Sequence, residues 1–173
     1  MNHELPQRRT MKAELPQRRT LHHAPPTWVA NGSLFFVTIC AETRGVNSLC
    51  TDPTGPRLLD SARDYQERQT WWLKLFLLMP DHLHMLVGFP ADRAMATVIR
   101  AWKSYQTRAL GVRWQSGFFD HRLRSDESED AKTEYIRMNP VRAGLVARTE
   151  DWRFVWPVPR AGDGSSGTTR PTD

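Results

Sequence analysis

The pattern of hydrophobic and polar residues along the chain predicts four β-strands. Residues 33–42 are rich in β-branched and aromatic side chains, which is typical of a strand. Residues 71–79 and 82–89 are two further apolar runs, and the Pro-Asp dipeptide between them favours a turn, so together they predict a hairpin. Residues 114–124 predict the fourth strand.

Three segments predict helices. Residues 56–71 form the first helix, between the first two strands. Apolar side chains recur at helical spacing within residues 92–111, and the final glycine of this segment favours the end of the second helix. The third helix covers residues 125–139, with Ser125 or Asp126 as its N-terminal cap and acids in its first turn, where the helix dipole favours them.

The order of these elements, β-α-β-β-α-β-α, predicts an α+β fold. It is the split βαβ, ferredoxin-like arrangement, a single domain with an antiparallel sheet and helices packed on one face. We expect this domain to cover residues 25–156. Residues 1–24, which contain the sequence ELPQRRT twice, predict a flexible basic arm, and residues 157–173, rich in Gly, Ser, Thr and Pro, predict a disordered tail.

The strand at residues 82–89 carries two histidines on one face. Side chains alternate across a strand, so His82 and His84 point the same way, with about 6.5–7 Å between their Cα atoms. The other face is apolar and must pack on the helices; it consists of Leu83, Met85, Val87 and Phe89. The pair is close enough to bind one cation, although histidines spaced in this way also hydrogen-bond to neighbours without any metal.

Charge indicates the class of partner. The formal net charge is +5, and the excess of basic residues is concentrated in residues 1–20 and 92–124. Such a distribution favours a polyanionic partner, nucleic acid more than a membrane surface, with a solvated basic surface as the alternative. The 2 cysteines fit a reduced cytosol, and no apolar run reaches about 18 residues, so the sequence predicts a soluble cytoplasmic protein.

Several downstream residues are candidates for a site. Tyr135 and Asn139 lie four residues apart on the third helix and share a face, although the pattern alone favours Tyr135 as a packed core aromatic. Asp120 and His121 are possible further ligands. Trp102 reads as core. The candidates for DNA binding, through phosphate contacts and base stacking, are Arg100, Lys103, Tyr105, Arg108, Arg122 and Arg124.

Four segments resemble, in order and spacing, one known family. LFFVTIC, MPDHLHMLV, WQSGFFDHRLR and EYIRMNPVRAGLV are similar to segments of the REP-associated tyrosine transposases, members of the HUH superfamily of single-strand DNA transposases. The superfamily is named for two histidines flanking a hydrophobic residue, here His82-Leu83-His84. The resemblance covers roughly residues 28 to 155 and also supports Lys103, since related proteins carry a lysine at this place in the helix.

The resemblance implies a complete reaction. Two histidines, His82 and His84, hold a divalent metal, Mg or Mn, with Asn139 completing the site. Tyr135 is the nucleophile that cleaves single-stranded or hairpin DNA and leaves a 5′-phosphotyrosine and a free 3′-OH. The resemblance leaves both a monomer and a homodimer open, because relatives differ in their oligomeric state.

Other functions stay open at this point. The main alternative is a domesticated DNA-binding regulator that does not cleave, and the intact histidines and Tyr135 argue against it. A metal-dependent hydrolase unrelated to DNA is a second alternative, which the basic segments disfavour. An RNA-binding module of similar topology is a third, but the aromatic signature of such modules is missing.

Overall fold

Strands and helices follow one another in the predicted order, with a short helix and a short strand added at the end. The structure is a computed structural model, and it describes residues 29–124 and 127–158, without the side chain of Asn31. The elements are β1 (Phe35–Cys40), α1 (Thr54–Glu67), β2 (Trp72–Met79), β3 (His82–Gly88), α2 (Met95–Leu110), β4 (Phe119–Arg122), α3 (Glu129–Arg137), α4 (Asn139–Arg142) and β5 (Val155–Trp156).

The strands of the described residues form one antiparallel sheet in the order β4-β1-β3-β2-β5. Helix α1 carries the chain from β1 past the position that β3 later fills, which is the split βαβ connection. The predicted α+β, ferredoxin-like class is therefore confirmed, and β5 extends the sheet beyond β2.

One face of the sheet packs against α1 and α2. Leu83, Met85 and Val87 are fully buried there, together with Trp102 of α2. The hydroxyl of Ser61 on α1 accepts hydrogen bonds from Trp102 Nε1 at 3.2 Å and from the Gln106 amide of α2. Both the predicted core face of β3 and the core position of Trp102 are confirmed, and the polar contact fixes the two helices to each other.

The opposite face of the sheet is covered by α3, so the expectation of helices on one face alone is wrong. Ile136 of α3 is fully buried against Leu75, Leu77 and Leu86. Strand β2 is apolar on both of its faces, so the second face also has to be removed from water. Lys74 Nζ lies 3.5 Å from a carboxylate oxygen of Glu129 and anchors the first turn of α3 to the sheet.

Two helix boundaries differ from the predicted ones. Helix α1 ends at Glu67, before the chain enters β2. Helix α3 begins at Glu129, because the hydroxyl of Ser128 accepts from the Ala131 amide, while the Glu127 carboxylate accepts from the Arg124 amide.

Some expectations fall on parts of the chain that are not described. They are the caps Ser125 and Asp126, the arm at residues 1–24, and the tail from residue 159 onward. Within the described ranges, no helix is long and apolar enough to cross a lipid bilayer.

Candidate active site

His82 and His84 project from the face of β3 that α3 covers in part. Their ring centroids lie 4.8 Å apart and the ring planes meet at 81°. The alternation of side chains along β3 therefore places the two imidazoles side by side, as predicted, on the side of the sheet away from α1 and α2.

Each imidazole is held through its Nδ1 atom. His82 Nδ1 lies 2.6 Å from Asp81 Oδ1, and His84 Nδ1 lies 2.9 Å from the hydroxyl oxygen of Thr38 on β1. Neither Nε2 atom has a hydrogen-bond partner among the described residues. A histidine that ligates a metal through Nε2 commonly donates its Nδ1 proton to an oxygen acceptor, and both histidines have such an oxygen in place.

Asp81 is held in its ionised form. Burial works to raise the pKa of this carboxyl, but hydrogen bonds from the Gly45 amide and from His82, together with the Arg44 guanidinium, outweigh burial and lower the pKa. The Gly45 nitrogen lies 2.6 Å and Arg44 Nε 3.3 Å from Asp81 Oδ2. The carboxylate is thus an acceptor that fixes the orientation of His82.

His84 is held in its neutral form. Burial lowers the pKa of this imidazole to about 3, and the nearby His82 and Arg44 act in the same direction. A cation binds to neutral imidazole, so the pair is ready to accept a divalent ion at neutral pH without first losing a proton from His84.

The described residues contain no cluster of three or more His, Cys, Asp or Glu side chains that converge on one point. Two oriented imidazoles fit a divalent cation, with the other ligands of a different kind, such as an amide or phosphate oxygen. Asn139, the third predicted ligand, opens α4 immediately after α3, and its side chain makes no hydrogen bond within the described residues.

Tyr135 lies on the surface of α3 and not in the core. It is 52% exposed, while its neighbour Ile136 is fully buried. The interpretation of Tyr135 as a packed aromatic, drawn from the pattern alone, is therefore wrong, because Ile136 takes the buried position. The Tyr135 ring lies between two cations, with the Arg142 guanidinium 4.2 Å and Lys132 Nζ 5.7 Å from its centroid.

Lys132 connects Tyr135 with the histidines. Its Nζ atom lies 5.5 Å from the centroid of the Phe36 ring on β1, and Phe36 stacks on His84 with 5.4 Å between ring centroids. The nucleophile candidate and the histidine pair are therefore on the same face of the sheet, joined by two ring contacts and one lysine.

Asp120 and His121 do not join the histidine pair. Asp120 pairs with the buried Val37, which places it on the opposite face of the sheet. His121 is on the same face as His84, but its Nε2 atom lies 3.1 Å from a carboxylate oxygen of Glu127. His121 thus contributes to the turn before α3.

Most of the predicted DNA-binding residues lie away from the histidines. Arg100, Tyr105 and Arg108 are exposed on α2, behind the sheet as seen from His84. Arg122 is also exposed and pairs with Phe35, whose side chain lies on the face of the sheet that packs against α1 and α2. Arg124 is exposed beyond the end of β4.

Lys103 is buried inside the protein, so the expectation of an exposed phosphate contact at this position is corrected. Its ammonium donates to the carbonyl oxygens of Gln115, Ser116 and Gly117 at 2.6, 3.4 and 3.0 Å. Burial lowers the pKa of Lys103. Residues 115–117 thus lie around the lysine, and β4 begins only at Phe119, so the predicted strand is shortened.

Two curated proteins are similar to this chain in sequence. A REP-associated tyrosine transposase of Escherichia coli (strain K12) is 28% identical over an alignment that covers 53% of this chain and 63% of that protein, so the match spans less than two thirds of the relative. A relative from Haemophilus influenzae is also 28% identical and covers 71% of this chain and 78% of its own length.

A solved structure, a REP-associated tyrosine transposase bound to a REP hairpin, shares the fold. Its TM-score is 0.62 at 22% identity, covering 88% of this chain and 100% of that one. The family model described as transposase IS200 like matches residues 36–139, a segment that runs from Phe36 through the histidine pair and Tyr135 to Asn139. Since that match covers more than half of the sequence, the chain belongs to the IS200-like transposase family.

Proposed function

We propose that the protein is a metal-dependent endonuclease and strand transferase for single-stranded DNA, in which Tyr135 is the nucleophile. The observation that carries this proposal is the orientation of His82 and His84 on the face of the sheet that also carries Tyr135: their Nδ1 atoms are held, and their Nε2 atoms have no partner in the part of the chain that the structure describes. Neighbouring imidazoles held through Nδ1, with Nε2 available, are the arrangement that a metal bound through Nε2 requires.

The residues of the proposed site have different roles. His82, His84 and Asn139 would hold a divalent ion, Mg or Mn, which when bound supplies positive charge to the scissile phosphate. Asp81 and Thr38 fix the imidazole rings. Lys132 and Arg142, beside the Tyr135 ring, offer further positive charge where the phosphate would lie.

The chemistry conserves the energy of the phosphodiester bond. The oxygen of Tyr135, having lost its proton to solvent, attacks phosphorus and forms an ester with the 5′ phosphate of the downstream fragment, while the bond to the 3′ oxygen of the upstream fragment breaks and that oxygen takes up a proton. A 3′-OH can later attack the same phosphorus and release Tyr135, which joins two strands without ATP. One chain carries both the histidine pair and the tyrosine on a single face, which supports a site that is complete in a monomer.

The proposed substrate is single-stranded DNA next to a hairpin. A structural neighbour is bound to a REP hairpin, and the net charge of +5 suits a polyanion. Arg122 and Arg124, near the β4 edge, and Arg100, Tyr105 and Arg108 of α2 are proposed to contact flanking DNA, whereas Lys103 is committed to the loop of residues 115–117.

The test is a denaturing gel with labelled hairpin oligonucleotides that carry single-stranded flanks, in Mn²⁺, Mg²⁺ or EDTA. We expect a slowly migrating covalent species that needs the metal and disappears in His82→Ala, His84→Ala and Tyr135→Phe. Tyr65→Phe, which changes a half-buried tyrosine of α1 on the far side of the sheet, is the matched control and should keep full activity. Tight hairpin binding without any cleavage in either metal would favour the non-cleaving regulator.

A further inference from the structure

Phe119 is an exposed aromatic side chain at the edge of the sheet. It is 60% exposed, the highest exposure among the described aromatic side chains. It belongs to β4, which forms one edge of the sheet, next to β1. The Phe119 ring is therefore available to contact a partner.

The register of the sheet places this ring on the face of the active site. Phe119 pairs with Thr38, and Thr38 pairs with His84, so the three side chains lie in one row across β4, β1 and β3. Phe36 lies next to this row, 6.3 Å from Phe119 and 5.4 Å from His84 between ring centroids. We call Phe119 and Phe36 the aromatic shelf.

Positive charge borders the shelf on the side of the nucleophile. Lys132 Nζ lies over the Phe36 ring and also near the Tyr135 ring, and it forms no salt bridge among the described residues. Glu127, an acid close to Lys132, is engaged by the Arg124 amide and by His121. Lys132 is therefore available to an anion that lies between the shelf and Tyr135.

An unpaired nucleotide combines the two properties that this surface matches. Its base has an apolar π-face that stacks on aromatic side chains. Its phosphate is an anion that is joined to the base through the sugar. A second copy of the chain, with a formal net charge of +5, would bring further positive charge to Lys132. Charge complementarity thus favours single-stranded nucleic acid.

We propose that the aromatic shelf stacks one unpaired base of the DNA strand, next to the phosphate that Tyr135 and the histidine pair act on, with Lys132 contacting that phosphate. The shelf fixes the register of the strand, so that one phosphate and not its neighbours lies at Tyr135. This inference rests on the proposed substrate class, single-stranded DNA, but it does not depend on cleavage.

The experiment therefore measures binding in the Tyr135→Phe background, where no covalent step occurs. A set of fluorescent hairpin oligonucleotides is used, each with one abasic site at a different position of the single-stranded flank. Phe119→Ala should weaken binding of the intact strand roughly 5- to 150-fold, the range for loss of one stacked base. When the abasic site lies at the position of the stacked base, Phe119→Ala should not weaken binding any further.

Two variants serve as controls. Val158→Ala removes an apolar side chain of higher exposure, 71% against 60%, which lies beside Leu59 of α1, and it should leave binding unchanged on every oligonucleotide. Phe119→Trp keeps a stacking surface and should bind like the parent. Thermal melting checks that Phe119→Ala is folded, which is expected because the side chain is exposed.

The outcomes separate the shelf from the proposed function. Equal binding by Phe119→Ala and the parent on every oligonucleotide overturns the shelf, whatever the cleavage gels show. A shift of the oligomeric state in Phe119→Ala, measured by light scattering, also overturns it and makes Phe119 a contact between subunits. A further outcome is that the wild type fails to cleave while one abasic position still abolishes the effect of Phe119→Ala on binding. That result would support the aromatic shelf and overturn the proposed endonuclease activity.

Discussion

Thr38 and His84 face each other across the β1–β3 ladder, and the Thr38 hydroxyl oxygen lies 2.9 Å from His84 Nδ1. Replacing Thr38 by Val keeps the shape of the side chain but removes the oxygen that orients the ring. We expect Mn²⁺ affinity, measured by calorimetry, to fall about 10- to 100-fold, as for other partners of metal-binding histidines.

A matched control exists for this substitution. Thr97→Val changes an exposed threonine of α2, behind the sheet, and should leave Mn²⁺ affinity unchanged. Equal affinities for Thr38→Val and wild type would show that the His84 ring is oriented by its packing against Phe36 alone.

Tyr135→Phe removes only the phenol oxygen. Because the side chain is 52% exposed and its hydroxyl has no hydrogen-bond partner among the described residues, the free energy of unfolding should change by less than about 0.5 kcal/mol. Hairpin affinity should persist while the covalent species disappears. A covalent adduct that survives in this variant would move the nucleophile elsewhere, and peptide mapping by mass spectrometry would locate it.

Lys103 and Arg100 should separate stability from DNA binding. Lys103→Met leaves the carbonyls of residues 115–117 without their donor, and we expect a loss of about 1–3 kcal/mol in the free energy of unfolding by urea titration. Arg100→Ala, at an exposed position of the same helix, should leave stability unchanged.

The salt dependence of hairpin binding gives the second readout for this pair. Arg100→Ala should reduce the slope of log affinity against log salt by up to about one unit, while folded Lys103→Met should keep the wild-type slope. A reduced slope in Lys103→Met would mean that the lysine leaves its loop to bind phosphate.

Cys50 should make the protein sensitive to alkaline pH. Burial raises the pKa of this thiol from 9.0 to about 12, against a smaller opposing effect of Arg153. Between these two values the folded state keeps the proton and the unfolded state loses it, so the free energy of unfolding should fall as pH rises above about 9. In Cys50→Ala, urea titrations at pH 8 and pH 10.5 should differ by less than they do in the wild type.

How far the sequence predicts this molecule depends on the range of the interactions. The alternation along β3 is a local property, and it places His82 and His84 on one face and Leu83, Met85 and Val87 in the core. One imidazole has a hydrogen-bond partner that is its neighbour in sequence, and the other has a partner that is distant in sequence. Asp81 is adjacent in sequence but reads as a turn residue, whereas Thr38 is 46 residues from His84 and becomes a neighbour only through strand pairing.

The wrong predictions also concern contacts between parts of the chain that are distant in sequence. The apolar residues of β2 do not reveal that both faces are covered, so the position of α3 across the second face is not predictable from its own pattern. Once α3 packs through Ile136, Tyr135 is turned to the surface. Lys103 reads as a surface cation because its three carbonyl partners belong to a loop whose path the sequence does not indicate.

The sheet separates two groups of cations, and this has a consequence for the length of the substrate. Lys132 and Arg142 lie on the side of Tyr135, whereas Arg100 and Arg108 lie on α2 behind the strands. A DNA strand can touch both groups only by passing around an edge of the sheet. Short oligonucleotides should therefore be cut at normal rates yet bind weakly, and affinity should rise in a step once the strand is long enough to turn that edge.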